Sequence, residues 1–286
     1  MQALRHRHAI AVRSPLTETA WTTAAGLCFG LSAMMRSNGL FWGIPLAWDA
    51  ITSSYRLLSG REPGELSRLL GIVIGGAFTG LGFSAPQIVA YQEFCLDGNS
   101  RPWCVRALPS IYNWVQVHYW DVGFLKYWTF SNLPLFLLAM PMLLLLLDTG
   151  YSALHHSRAI LLATNGEETP SQRNSADHQA QVRVFESAME RLALPQILIA
   201  LLAFTSFHVQ IVNRISSGYP VWYLLLAIAM LDKSPPLACG HSSAEHYHPF
   251  RRLGSIGGKT KEWVVRAMIV YAMVQGGLYA SFLPPA

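Results

Sequence analysis

The residues best suited to chemistry lie in one stretch, 95–128, which contains RPWC at 101–104, IYNWVQVHYW at 111–120 and DVGFLKYW at 121–128. Four tryptophans, Trp103, Trp114, Trp120 and Trp128, share it with Arg101, Arg106, His118, Asp121 and Lys126. Aromatic faces stack on sugar rings, and a guanidinium grips phosphate through two parallel N–H donors. The mixture therefore suits a site for a sugar and its phosphate. A plain aromatic belt is the alternative, because Trp and Tyr collect where an apolar phase meets water. A belt, however, needs no such density of Arg, His, Asp and Lys.

Two shorter segments offer similar groups: Arg36-Ser37-Asn38-Gly39, and His208-Val209-Gln210 with Asn213-Arg214. On a continuous helix Gln210, Asn213 and Arg214 share a face, being three and four residues apart, while His208 points elsewhere. His208 and Gln210 enter one pocket only if the helix unwinds there. Ionisable groups at span ends can also simply snorkel to the interface, which is the ordinary explanation for Lys126. For Arg36, beside Asn38 and between two short spans, a functional role is favoured.

The elements that must position these groups are membrane helices. Hydrophobic residues make up 52% of the 286 and charged residues 13%, about half the globular share of roughly 25%. Residues 20–35 and 41–51 make two weak spans or one helical hairpin, since about 20 apolar residues are needed to cross hydrocarbon. Residues 69–89 cross, with Gly71, Gly75, Gly76 and Gly80 at the spacing that lets helix backbones approach. Further crossings are expected at 133–147, 192–212, 219–231 and 263–283. The expected fold is all-α: one integral-membrane domain over 1–286, a polytopic bundle of about five to seven spans. The 95–128 segment is helix and loop outside the cytosol, and 149–190 and 232–262 are polar cytosolic loops, disordered over 164–181.

Alternating sides along these spans places sixteen of the 21 Lys and Arg on one side and five on the other. Positively charged loops stay in the cytosol, so the 95–128 stretch, the Arg36 turn and the Arg214 turn face the opposite, lumenal side. The net charge of +5 is spread over separate loops and points to no nucleic acid. No signal peptide is visible in residues 1–18. Cys95 and Cys104 share the lumenal loop, where an oxidising compartment permits a bridge. A disulfide is expected there, with two free thiols as the alternative, while Cys28 and Cys239 are expected to be reduced. His241, His246 and His248 read as solvated, and no metal-ligand spacing appears.

RSNG at 36–39, RPWC at 101–104, HYWDVGFLKYW at 118–128 and HVQIVNR at 208–214 resemble the GPI mannosyltransferase 2 family, in order over roughly residues 20–286. The resemblance implies a multi-span membrane enzyme of the endoplasmic reticulum with the GT-C type of fold. It implies dolichyl phosphate mannose as donor, a GPI precursor glycolipid as acceptor and an α-1,6-linked second mannose as product. It implies no cofactor and allows for a small accessory membrane subunit. The implied substrate-binding residues are Arg36, Asn38, Arg101, Trp103, His118, Tyr119, Trp120, Lys126, Trp128, His208, Gln210 and Arg214.

Mannosyl transfer needs a carboxylate to take the acceptor's proton and cations to stabilise the departing phosphate. Arg36, Arg101, Arg106 and Arg214 suit the second task. For the first, Asp97 and Asp121 are lumenal and Glu93 is a poorer choice. The family pattern has Asn at the position of Asp121, which argues against an obligatory base. The family's base is expected in an earlier lumenal loop with a Trp-Asp-Ala type motif. Trp48-Asp49-Ala50 spells those letters but lies toward the cytosolic end of a span. The expectation is thus an N-terminally truncated chain or incomplete gene model, inactive alone. A glycolipid-binding scaffold is the next reading. A transporter ranks below it, because no repeat appears and Asp49 is the only acidic residue read inside a span.

Overall fold

The computed structural model describes residues 15–60, 64–96, 101–164, 176–231 and 260–281. The described residues contain helices and no strand. The chain packs as two compact units, Met1–Lys126 and Tyr127–Ala286. Among the described residues three helices are long and apolar enough to cross a membrane: Glu65–Cys95, Phe130–Ser157 and Gln179–Thr205. Asp97, residues 165–175 of the segment expected to be disordered, and 232–259 with its histidines lie outside the described residues.

In the first unit, α1 (Pro15–Met35) leads through a 3-10 turn (Ser37–Trp42) into α2 (Gly43–Leu58), and α3 (Glu65–Cys95) follows. Gly64, at φ 102 before α3, holds a left-handed conformation that side-chain-bearing residues rarely accept. Helices α1 and α3 touch backbone to backbone. A Cβ on Gly26 would strike the Gly75 main chain, and one on Gly82 would strike Gly30. Without a hydrophobic drive between helices in lipid, such close van der Waals approach is what joins them. The Thr79 hydroxyl lies between the Gly26 carbonyl (3.3 Å) and that of Gly75 (3.0 Å), and Thr19 bonds Ser67.

Of the four glycines expected to pack, Gly71 and Gly75 do so against Thr19 and Thr22, whereas a Cβ on Gly76 or Gly80 would meet nothing within 4 Å. Spacing selects a helix face only once its partner is known, and α1 meets the face bearing 71, 75 and 82. At one end of this unit Glu65, 6% exposed, lies between Arg56 (3.6 Å) and Arg68 (3.9 Å), and Arg68 also reaches Glu18 (3.5 Å). Three helices are thereby tied by one charge cluster, since a buried carboxylate requires partners.

In the second unit, α5 (Leu133–Thr164) packs on α6 (Ala176–Thr205), with α7 (Ile211–Ile215), α8 (Pro220–Leu231) and α9 (Thr260–Ser281) around them; α4 belongs to the first unit and is described with the site. Ala153, Met189, Ala193, Val221 and Leu225 form a buried core, and Leu143, Leu146 and Ile199 are buried as well. Polar residues join it through interhelical hydrogen bonds. The Gln196 amide donates to the Leu146 carbonyl (2.8 Å) and the Thr149 hydroxyl (3.0 Å).

The expected loop from residue 149 is helix as far as Thr164, and helix resumes at Ala176. Thr149, Ser152, Ala153 and Ser157 are all buried. They are small residues on a packed helix face, which polarity alone disguised as loop. Asp148 lies inside the candidate span Phe130–Ser157, while Asp49 lies in Gly43–Leu58, which is not among the candidate spans, so the expectation that Asp49 is the only acidic residue within a span fails on both counts.

Candidate functional site

The 95–128 stretch is built on a covalent clasp. Cys95, the last residue of α3, is joined to Cys104 by a disulfide with Cα atoms 5.7 Å apart. The Cys104 Sγ also lies near the Phe94 carbonyl, and the Arg101 guanidinium sits 5.9 Å from the Phe94 ring centroid. The RPWC turn is thus folded back on the end of α3. Trp103 is 2% exposed and cannot present its ring to a sugar in this arrangement, which departs from the binding role expected for it. Cys28 is a free thiol.

Next comes α4 (Ile111–Tyr119), a helix of nine residues, none of them buried. Its Ser110 N-cap accepts from the Asn113 N–H at 3.2 Å, the usual solution for an orphan amide in a first turn. On its surface Trp114 and His118 stack at 4.7 Å, and Tyr119 stands edge-on to both, at 5.5 Å and 4.9 Å. Residues four apart on a helix meet in this way. His118, Tyr119 and Trp120 are exposed, so an aromatic platform with one titratable ring is open to a ligand.

Ser37 donates to the Tyr112 hydroxyl at 2.7 Å. This bond brings the turn bearing Arg36 and Asn38 to the same helix. Arg36 is exposed and Asn38 half-buried.

The loop after α4 is tight. Asp121 (φ 45) and Leu125 (φ 57) are both left-handed without being glycine, a strain of about 1–2 kcal/mol each. The Asp121 carboxylate accepts from Lys126 Nζ at 3.0 Å, and the Val122 N–H donates to the Gln116 carbonyl at 3.0 Å. The candidate base and a candidate ligand are therefore engaged with each other. Glu93 is exposed near the end of α3. Asp49 is half-buried within α2.

In the second unit, Trp128 donates its indole N–H to the Phe204 carbonyl (2.8 Å) and packs on Phe136 and Phe204. Tyr127 stands edge-on to His208 at 4.5 Å. The continuous helix expected through 192–212 stops at Thr205 and restarts at Ile211. The unwinding that the joint use of His208 and Gln210 requires is present. Gln210 is buried and Arg214 half-buried. Asn213 instead accepts from Tyr271 at 2.8 Å, and Tyr271 and Gln275 of α9 also reach the Leu138 carbonyl.

Sequence reading missed Gln87, Tyr112, Tyr271 and Gln275. Ser110 carried a signal, a serine just before an apolar-periodic run. The others are single polar letters within apolar segments, and only the partner's position reveals them. Among the described residues no group of His, Cys, Asp and Glu is placed to hold a metal.

The chain is 40% identical over 264 residues to GPI mannosyltransferase 2 of Aspergillus oryzae, covering 92% of this chain and 52% of that protein. It is 40% identical over 268 residues to GPI mannosyltransferase 2 of Gibberella zeae, covering 92% and 54%. It is 39% identical over 265 residues to the protein of that name from Aspergillus fumigatus, covering 92% and 55%. The chain spans about half the length of the curated relatives it matches. No solved structure matches. The family model described as mannosyltransferase (PIG-V) matches residues 8–286, and the chain belongs to that family.

Proposed function

We propose that this chain is part of a multi-pass enzyme of the endoplasmic reticulum membrane that adds the second, α-1,6-linked mannose to a GPI precursor glycolipid, with dolichyl phosphate mannose as donor. The observation that carries the reading is the Trp114–His118–Tyr119 platform, with His118 and Tyr119 exposed and Trp114 half-buried, joined through Tyr112 and Ser37 to the Arg36 turn, in a chain whose relatives are named GPI mannosyltransferase 2. Aromatic faces suit the sugar and Arg36 and Arg101 suit the phosphate. Trp103, Trp128 and Lys126 serve the frame instead, since their rings or charges are already engaged. His208, Gln210 and Arg214 are the second unit's candidates for the glycolipid headgroups. The base is a lumenal carboxylate other than Asp121, whose carboxylate is engaged by Lys126 Nζ at 3.0 Å.

The test uses membranes from cells lacking the second-mannose activity and expressing this chain. Two assays are run: mannose transfer to a GPI precursor bearing one mannose, and crosslinking by a photoreactive polyprenyl phosphate mannose. This chain should take the crosslink, with Arg36→Ala and His118→Ala weakening it, and product carrying one more hexose is expected from a full-length relative expressed in the same cells, where the matching replacements abolish transfer. Transfer by the relative that survives those replacements would favour the glycolipid-binding scaffold for this part. Absence of both crosslink and product would overturn the proposal.

A further inference from the structure

Helix α4 carries the aromatic platform yet has little of its own to hold it. Nine residues are too few for a stable isolated helix, and none of the nine is buried. Its position therefore depends on a few directed bonds from the first unit. The Gln87 side-chain oxygen, on α3 directly after Pro86, accepts from the Ser110 hydroxyl at 3.0 Å and from the Tyr112 N–H at 3.1 Å. Ser110 in turn receives the Asn113 N–H. Two first-turn amides of α4 thus end on a single atom of α3, one directly and one through the cap hydroxyl. Tyr112 then bonds Ser37 through its hydroxyl and meets the edge of Phe83, with centroids 6.0 Å apart.

We infer that Gln87 is a positioning residue: through Ser110 and Tyr112 it docks α4 so that the His118 platform and the Arg36 turn are presented together to the sugar phosphate. This rests on the reading of the site given above. Gln87 touches no substrate and acts through the helix it caps. A carbonyl-type oxygen is the chemical requirement, because both groups it serves are donors. Glutamate supplies such an oxygen at the same reach. Leucine has the bulk without the acceptor, and asparagine is one methylene too short.

The full chain in membranes provides two readouts, neither of which requires turnover. One is amide hydrogen exchange over 110–119, with the α1–α3 seam as internal reference. The other is the concentration dependence of crosslinking by the photoreactive polyprenyl phosphate mannose. In Gln87→Leu, exchange over 110–119 should rise about tenfold, the scale of losing one or two ordinary hydrogen bonds, and half-saturation of crosslinking should weaken by a similar factor. Gln87→Glu should restore both, and Gln87→Asn should behave as the leucine variant, which keeps the test open if the leucine chain fails to accumulate. Tyr112→Phe should weaken crosslinking while leaving exchange of the first-turn amides near wild type. Unchanged exchange in Gln87→Leu, or faster exchange with unchanged crosslinking, would overturn the inference while the sugar-phosphate reading stands. A wild-type chain that takes no crosslink would remove that reading, and the inference with it.

Discussion

Trp103 and Trp120 are seventeen positions apart in one aromatic-rich stretch, and their surroundings are opposite. Trp103 is 2% exposed and Trp120 41%. Trp103→Ala should therefore destabilise the first unit by about 3–5 kcal/mol, as for other buried aromatic truncations, read as a lower temperature for half-loss of soluble protein after detergent extraction. Trp120→Ala should leave that temperature unchanged and weaken crosslinking by the mannose phosphate probe. Asp121→Asn should be mild, within about twofold in either readout, because the ion pair with Lys126 is exposed and such pairs contribute little. The residue types of this site were legible in the sequence, but their division into ligands and frame was not. Burial of Trp103 follows from the turn that Cys95 and Cys104 close. The engagement of Lys126 follows from a strained loop in which Asp121 and Leu125 turn left-handed. Neither is a property of the residue letter.

At the scale of elements, the second unit is joined by polar bonds where apolar surface gives no preference between protein and lipid. Gln196→Leu should lower the stability of the α5–α6 pair by about 0.6–2 kcal/mol, the range for interhelical hydrogen bonds in membranes. A double-mutant cycle with Thr149→Val should show that the two losses are not additive. Tyr271→Phe should loosen α9, whose hydroxyl reaches both Leu138 and Asn213, and exchange over 260–281 would report it. Helix positions were largely legible from the apolar runs, and the run at 69–89 lies inside α3. Helix ends were not. The 149–157 segment sets small residues, Thr149, Gly150 and Ala153, against α6, and a small-residue interface has the composition of a loop. The break between Thr205 and Ile211 has no proline or glycine to announce it. It is marked instead by the Ser206 and Phe207 N–H groups, which both turn back to the Leu202 carbonyl.

For the molecule as a whole, the uneven distribution of Lys and Arg makes a claim that is independent of any side-chain contact. A glycosylation acceptor inserted near Asn99 should be modified in microsomes and one near Asn174 should not. The reverse pattern would put the Trp114–His118–Tyr119 platform in the cytosol and end the proposed function. Membrane class was legible from composition. Among the described residues three helices are long and apolar enough to span, and α1 and α2 are not among them. Those two helices hold their place through glycine contacts and the Glu65 charge cluster, which hydropathy does not register.

The contact of α1 with α3 also leaves a genetic signature. Every missense change in a glycine codon adds at least a Cβ, and at Gly26, Gly30 and Gly82 that atom would fall on the main chain of the neighbouring helix. No conservative replacement exists at these positions, because even alanine is too large. Gly76 and Gly80, on the same stretch of helix, have room for one. A saturation map of this gene should therefore show a comb of wholly intolerant codons alternating with permissive ones. The teeth of that comb would locate the helix seam from inheritance data alone.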